Sequence, residues 1–428
     1  MTKSGKSSIN LRTLLIVVGM GLCWADVYAL AFIQFILYIP FQESIGISNT
    51  QMGFLVTLYG FGNVFGAPLG GWISDRFNPK KIYIASLVLT GIFSITYAFH
   101  MTYKTAIFIW ILLAVSSLFM NFPAHIKLVR LLASERDQGK IFGFNESAIG
   151  LTTLAFNAVQ VWVYSLIGEP FRGMQMVAIT IGVVTLFCAV MCYFIIPNFS
   201  EEELEGVQTE EETSKLTIKD FFVVIKSPAT WILATGIFCV YSFQVTTTYF
   251  TPYFSAVLGL AVTSAGFITL LRDQVMRLLG APFGGMIADR IQSPIKVLLL
   301  VYVVGLTSIL GFRMIPAEAP TVLVVLMTLF IAFFVYMGRG VYYAVATELK
   351  VSRKYAATTV GVGAAMGFLP DIFQFLLFGH WLDTYGNAGY DRMFIFQAAV
   401  LAVGIVIATL SLKFKSKITH KGETPKTL

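Results

Sequence analysis

The chain has 428 residues, 57% of them hydrophobic and only 12% charged, and a mean hydropathy of +0.77. Soluble domains carry about 25% charged residues, so this balance excludes a soluble protein and points to a membrane one. The formal net charge of +7 follows from the sidedness of the loops, set out next, and is no footprint for nucleic acid.

A bilayer core about 30 Å thick takes roughly 20 apolar residues per helix. Twelve segments of that kind occur, near 11–39, 51–73, 82–100, 104–130, 141–167, 175–196, 229–257, 263–288, 295–313, 320–347, 357–383 and 390–413. The first is too long for the apolar region of a signal peptide, and no small-residue cleavage site follows it, so it reads as a retained span. The expected fold is an all-α membrane protein of twelve transmembrane helices in two pseudo-symmetric six-helix bundles. The first bundle covers 1–196 and the second 229–413. A cytoplasmic linker at 197–228 joins them and a basic tail at 414–428 follows.

With both termini placed in the cytoplasm, Lys104, Arg172, Arg313 and Arg392 are the basic residues on the outer side. Arg272, Arg277 and Arg339 lie within spans, and the rest of the 30 Lys and Arg fall inside. That asymmetry fits the positive-inside rule, and an odd span count would spoil it. The linker, PNFSEEELEGVQTEEETSKLTIKD, is polar and acidic and reads as a solvated spacer. Within it, 216–225 is amphipathic and suits the membrane surface, and the Lys-rich tail suits anionic lipid. Cys23, Cys188, Cys192 and Cys239 all fall inside spans, with spacings that match no metal site.

One eleven-residue frame occurs twice. Residues 66–76 read GAPLGGWISDR and 280–290 read GAPFGGMIADR, half a chain apart. Duplicated halves with Gly-rich helix ends are a mark of secondary transporters. Gly62, Gly66 and Gly70 share one helix face, as do Gly280 and Gly284, and small residues at that spacing let a neighbouring backbone approach. Such smooth contacts suit two bundles that rock against each other. Asp75-Arg76 and Asp289-Arg290 end the two copies. An Asp there can accept hydrogen bonds from the first turn of an adjacent helix, where the dipole favours negative charge.

On these residues the chain resembles the major facilitator superfamily. Its signature between spans two and three is met by Gly71, Asp75, Arg76, Lys80 and Lys81, with Asn78-Pro79 where Gly-Arg is usual. The weaker second copy is met by Gly285, Asp289, Arg290 and Lys296. Lys127, Arg130, Glu135, Arg136, Gly139 and Gly143 fit the familiar segment between spans four and five. M-N-F-P at 120–123 and the run RLLASERDQGKIFGF look like the YihN-type bacterial branch. The resemblance covers essentially the whole chain. It implies a gate built from Gly71, Asp75, Arg76, Lys80, Arg130, Gly285, Asp289, Arg290 and Arg339, and a place in the bacterial inner membrane.

Ionised groups in hydrocarbon cost at least ~2.5–3.5 kcal/mol, so each one inside a span needs a cavity or a partner. Asp26, about fifteen residues into span one, reads either as a proton carrier or as an Asp neutralised by a nearby Arg. In span eight, Asp273 and Arg277 are spaced for an intrahelical ion pair. Arg272 has no such partner in its own helix, and its guanidinium suits bidentate binding of a carboxylate, phosphate or sulfonate. Oxalate–formate exchangers resemble this in placing a cation in span eight, but they also use a Lys in span eleven, where this chain has Asp371. Asp371 either pairs with Arg272 or Arg277 or takes a proton. Arg339 suits gating and substrate contact equally. His125 and Lys127 suit gate or lipid contacts.

Among uncharged groups, Asn121, Asn157, Gln160 and Gln244 are placed near mid-membrane, and Tyr28, Trp24, Tyr59, Trp162, Tyr241 and Tyr249 could stack on a ring or sugar face. Asn63 aligns with Arg277 by the repeat, and Leu58 with Arg272, so cargo recognition is expected where the halves differ. No Walker A and no catalytic or metal-ligand cluster is present, which argues against an ATP-driven pump or an enzyme and for a protein without cofactor or metal. The expected function is secondary transport of a small polar, anionic organic solute by alternating access, coupled to protons, by a monomer in contact with lipid. Export of an amphipathic drug-like compound is the alternative, and a ligand sensor that does not transport is a third reading.

Overall fold

A computed structural model describes residues 10–133, 137–199, 218–315, 319–349, 351 and 353–421, without the side chains of 63–76, 139, 218–221, 353, 354, 356, 357 and 414–421. Among the described residues the regular structure is helical throughout, with no strand. The first half contains α1 (Leu11–Val27), α2 (Tyr38–Ile45), α3 (Asn49–Arg76), α4 (Pro79–Phe99), α5 (Tyr103–Ala114), α6 (Phe122–Leu131), α7 (Gln138–Ile167) and α8 (Pro170–Ile195). A short α9 (Ile218–Lys226) lies in the expected amphipathic segment. The second half follows with α10 (Pro228–Thr248), α11 (Phe250–Ala256), α12 (Val262–Leu270), α13 (Met276–Ile291), α14 (Pro294–Arg313) and α15 (Thr321–Arg339). Last come α16 (Val345–Glu348), α17 (Arg353–Gly367), α18 (Pro370–Tyr385) and α19 (Ala388–Lys421).

Helix starts are written in the sequence. Pro79, Pro170, Pro228, Pro294 and Pro370 each open a helix, where the missing N–H costs nothing. Asn78, Glu169 and Ser293 add side-chain caps to three of them. Gly168 closes α7 at φ 69, a left-handed position that glycine takes without strain.

Nine helical stretches among the described residues are long and apolar enough to cross a bilayer. The three other expected spans also hold helix. The first is broken: α1 stops at Val27, a 3-10 turn spans Ile33–Phe35, and α2 resumes at Tyr38. The second lies in α3. The span at 263–288 carries Arg272, Asp273 and Arg277 and is interrupted by a π turn at Leu271–Val275. A second π turn, Val115–Asn121, joins α5 to α6.

The chain resolves into two compact units, 1–47 with 58–213, and 48–57 with 214–428. In the first, α4 packs on α8 and α1 on α7. A core of Ile16, Val17, Met20, Tyr83, Leu87, Leu128, Val129 and Cys188 fills the space between them. In the second, α14 packs on α19, α10 on α17, and α13 on α15.

The expected close approach at Gly280 and Gly284 is present, but it is made inside the second unit. A Cβ on Gly280 would meet the Phe333 carbonyl at 2.5 Å, one on Gly284 the Met337 carbonyl, and one on Gly340 the Ala281 carbonyl. These glycines let α13 and α15 touch backbone to backbone. At Gly285 a Cβ would meet nothing within 4 Å. Gly284→Ala is therefore expected to destabilise the protein by about 1–3 kcal/mol, while Gly285→Ala leaves it unchanged. Thermal unfolding in detergent checks the pair, and equal midpoints would sink this account of the packing.

The second unit also takes the first nine residues of α3. Asp383, near the end of α18, accepts from Asn49 N (2.9 Å), Asn49 Nδ2 (2.8 Å), Thr50 N (2.7 Å) and Thr50 Oγ1 (2.5 Å). A carboxylate at a helix start satisfies unpaired N–H groups and meets the positive end of the dipole. Asp383→Asn keeps the shape and loses the charge, with an expected loss of about 1 kcal/mol. A lower unfolding midpoint that high salt does not restore is the expected reading. An unchanged midpoint would show the cap to be energetically idle.

Candidate functional site

In the first unit, α1 places Asp26 wholly out of contact with solvent. Cys188 Sγ on α8 approaches its Oδ2 at 3.4 Å, and Oδ1 has no hydrogen-bond partner. Among the described residues no Arg or Lys pairs with it, so the reading of an Asp neutralised by an Arg does not apply. Cys23 and Cys192 lie next to it, Sγ to Sγ 3.3 Å. All four cysteines are free and buried, as expected of span residues.

An aromatic run crosses the break at the end of α1. Trp24 and Tyr28 are 5.0 Å apart between ring centroids, Tyr28 and Phe32 are stacked at 6.4 Å, and Phe32 meets Tyr59 at 5.0 Å. The Tyr28 hydroxyl has no hydrogen-bond partner, and that of Tyr59 is 2.5 Å from Ser117 Oγ. Ser117 and Asn121 both sit in the first π turn. Asn121 donates to Ser86 Oγ at 2.9 Å and keeps its Oδ1 unpartnered. Gln160, wholly buried, reaches Asn157 at 3.5 Å, and its Oε1 is likewise unpartnered. His125 is wholly buried between Asn145 (3.0 Å), Tyr83 (3.4 Å) and the Trp24 ring, so of its two expected contacts the lipid one does not fit.

The second unit gathers the charges. Arg272, in the second π turn, is wholly buried. Its Nε donates to Asp273 Oδ1 at 2.9 Å, and its Nη2 to Asp273 Oδ2 at 3.2 Å and Thr251 Oγ1 at 3.3 Å. Nη1 has no partner. The sequence left Arg272 without a partner in its own helix, and the structure corrects this. Neighbouring residues on an α-helix diverge around the axis, but the wide π turn brings Arg272 and Asp273 together. Tyr336 on α15 is close enough to feel the charges of Asp273, Arg339, Arg277 and Arg272 together.

Arg339 Nη1 donates to Gln244 Oε1 at 2.5 Å. Asp371, the expected partner of an arginine or a proton, has both oxygens at the Tyr241 hydroxyl, 3.0 and 2.9 Å away. Tyr241 in turn lies within range of Arg339. Next to Asp371, Gln374 donates to Ser242 O and Thr246 Oγ1. Arg272, Arg277, Arg339, Gln244 and Asp371 thus form one polar interior. Asp273, Tyr336 and Thr251 belong to it too, although the sequence reading gave none of them a role in binding, as does Tyr241, expected only as a stacking residue.

The expected gate residues separate. Asn63, Gly71, Asp75 and Arg76 lie outside the residues whose side chains are described. Lys80 donates to the Ile196 carbonyl (2.6 Å) and Asn198 Oδ1 (2.9 Å), tying the start of α4 to the end of α8. Arg130 is half-buried at the end of α6, where Gln138 closes onto its carbonyl. Asp289 and Arg290 are exposed. The contact expected of Asp289, a carboxylate on an adjacent helix start, is made instead by Glu348. That residue accepts from Ser293 Oγ (2.5 Å) and Ile295 N (2.8 Å) at the head of α14. Its place among lysines near a loop gave the sequence reader no signal.

The sequence profile of the Major Facilitator Superfamily matches residues 16–334. This chain belongs to that superfamily. Two relatives from Escherichia coli (strain K12) share its length. They are the inner membrane protein YqcE, 26% identical over 90% of this chain and 91% of its own, and the inner membrane protein YihN, 27% identical over 92% and 94%. A probable galactarate/D-glucarate transporter of Bacillus subtilis (strain 168), GudP, is 21% identical over 85% and 84%. Among solved structures, a bacterial homologue of the human lysosomal transporter Spinster superposes with a TM-score of 0.74 at 14% identity, covering 96% of this chain and 98% of that one. The fold is that of a superfamily transporter, all-helical and membrane-embedded. The chain is a carrier of small molecules and not an enzyme.

Proposed function

We propose that this superfamily member moves a small organic anion, such as a sugar acid, carboxylate or sulfonate, across the bacterial inner membrane by alternating access, with a proton as coupling ion. Both termini are cytoplasmic and the monomer is the working unit, with Arg277 and Gln244 as proposed solute contacts of the second unit and Asn63, Asn121, Gln160, Tyr28 and Tyr59 as those of the first. The observation that carries the anionic reading is Arg272: a guanidinium wholly buried in a membrane span, with one nitrogen bare and two further arginines close by. A guanidinium buried in a span is costly unless its charge and its donors are met, and the bare Nη1 leaves one of them for an anion to meet. The name of the Bacillus subtilis relative, a galactarate/D-glucarate transporter, is in keeping with it. Multiple arginines within spans count against a cationic drug as cargo.

The proton reading rests on Asp26, which lacks any cation partner among the described residues. The test is a thermal-shift panel on the purified protein with D-glucarate, galactarate, D-gluconate, sulfoacetate and glucose. Stabilisation by one or more anions, and none by glucose, is the expected pattern. Stabilisation by glucose alone would sink the anion reading.

A further inference from the structure

The geometry points to Asp273 as a built-in counter-anion that occupies the substrate's place on Arg272 and must be displaced when the solute binds. This rests on the reading that Arg272 takes the anionic group. The edge of the guanidinium formed by Nε and Nη2 is one of the two that a carboxylate grips with both oxygens. Asp273 grips it in that way, at 2.9 and 3.2 Å.

The two partners are not equally free to leave. The arginine side chain is sealed, at 0% exposure, whereas that of Asp273 is 21% exposed. Nη2 donates to Thr251 Oγ1 as well, and Thr251 Oγ1 lies 2.8 Å from Thr269 Oγ1, which ties α11 to α12. The guanidinium is therefore the anchored member and the carboxylate the movable one.

The physical need for such a group is plain. A buried guanidinium without a counter-charge is strongly unfavourable, and a carrier passes through an empty state in every cycle. Asp273 supplies the missing charge in that state and cedes it to the incoming carboxylate or sulfonate. Two consequences follow. The solute binds more weakly than Arg272 alone would hold it, because it must first displace a tethered rival. It is also released more readily, because the rival waits beside it. Specificity follows as well: a neutral solute of the same shape cannot pay for moving Asp273 off the fork.

The probe is inorganic sulfate, titrated into purified protein while thermal unfolding is followed. Asp273→Asn keeps the volume and removes the competing charge. It is expected to unfold at a lower temperature than wild type without sulfate, and to be stabilised at roughly tenfold lower sulfate concentration. Adding Arg272→Gln to it should abolish the response. If Asp273→Asn does not fold, Asp273→Glu carries the same test, since its added methylene takes the carboxylate off the two-point geometry while keeping the charge. Sulfate curves that coincide with wild type in the variant that folds overturn the counter-anion role. An Arg272→Gln protein that responds to sulfate like wild type overturns instead the assignment of Arg272, whatever Asp273 does.

Discussion

Arg272→Gln lowers uptake of the anion selected by the thermal-shift panel by at least about 100-fold in proteoliposomes, a loss of about 2.7 kcal/mol of binding. The size follows from burial. With the guanidinium at 0% exposure, water cannot stand in for it, and charge-assisted two-point contacts are among the strongest polar interactions in a protein interior. Arg272→Lys keeps the charge but offers a point in place of a fork, so it recovers only a minor part of the activity. Both variants leave Asp273 with its partly exposed carboxylate able to rehydrate, so folding is retained and the unfolding midpoint serves as the control. Wild-type uptake by Arg272→Gln would remove Arg272 from the binding site. Full activity in the Lys variant would show that charge alone is read.

Several parts of this site could be read before the structure. A charge inside an apolar run has few places to go, which is why Asp26, Arg272 and Asp371 were already marked as interior groups. The spacing of Gly280 and Gly284 announced a close helix approach, since residues four apart share a face. What the sequence hid depends on contacts that no periodicity encodes. The π turn at Leu271–Val275 changes the angular register, so the pair that forms is Arg272 with Asp273 and not one spaced by a helical turn. Tyr241 and Asp371 stand 130 residues apart, and only the packing of α10 on α18 brings them together. Glu348 looked like a loop residue and instead closes the head of α14. The break in the first span was hidden for another reason: hydropathy continues through Val27 to Tyr38 although the helix does not.

Asp26→Asn abolishes accumulation driven by a pH gradient while leaving exchange of solute for solute across the membrane intact. Asp26 accepts a weak bond from the Cys188 thiol on one oxygen and nothing on the other. With no cation beside it among the described residues, a proton is the counter-charge left to balance the carboxylate in an apolar interior. Asparagine has the same shape, cannot carry that proton, and does not remove the route for the solute. For one proton per solute, a gradient of one pH unit supports about tenfold accumulation, and the variant brings that ratio down to about one. Cys188→Ser, which keeps a donor on Oδ2, holds the wild-type ratio and separates loss of the proton site from loss of local packing. Accumulation by Asp26→Asn at the wild-type ratio would move the proton to another carboxylate. Asp371 is the group to test next, although the Tyr241 hydroxyl already stands on both of its oxygens, which leaves it less in need of a proton than Asp26.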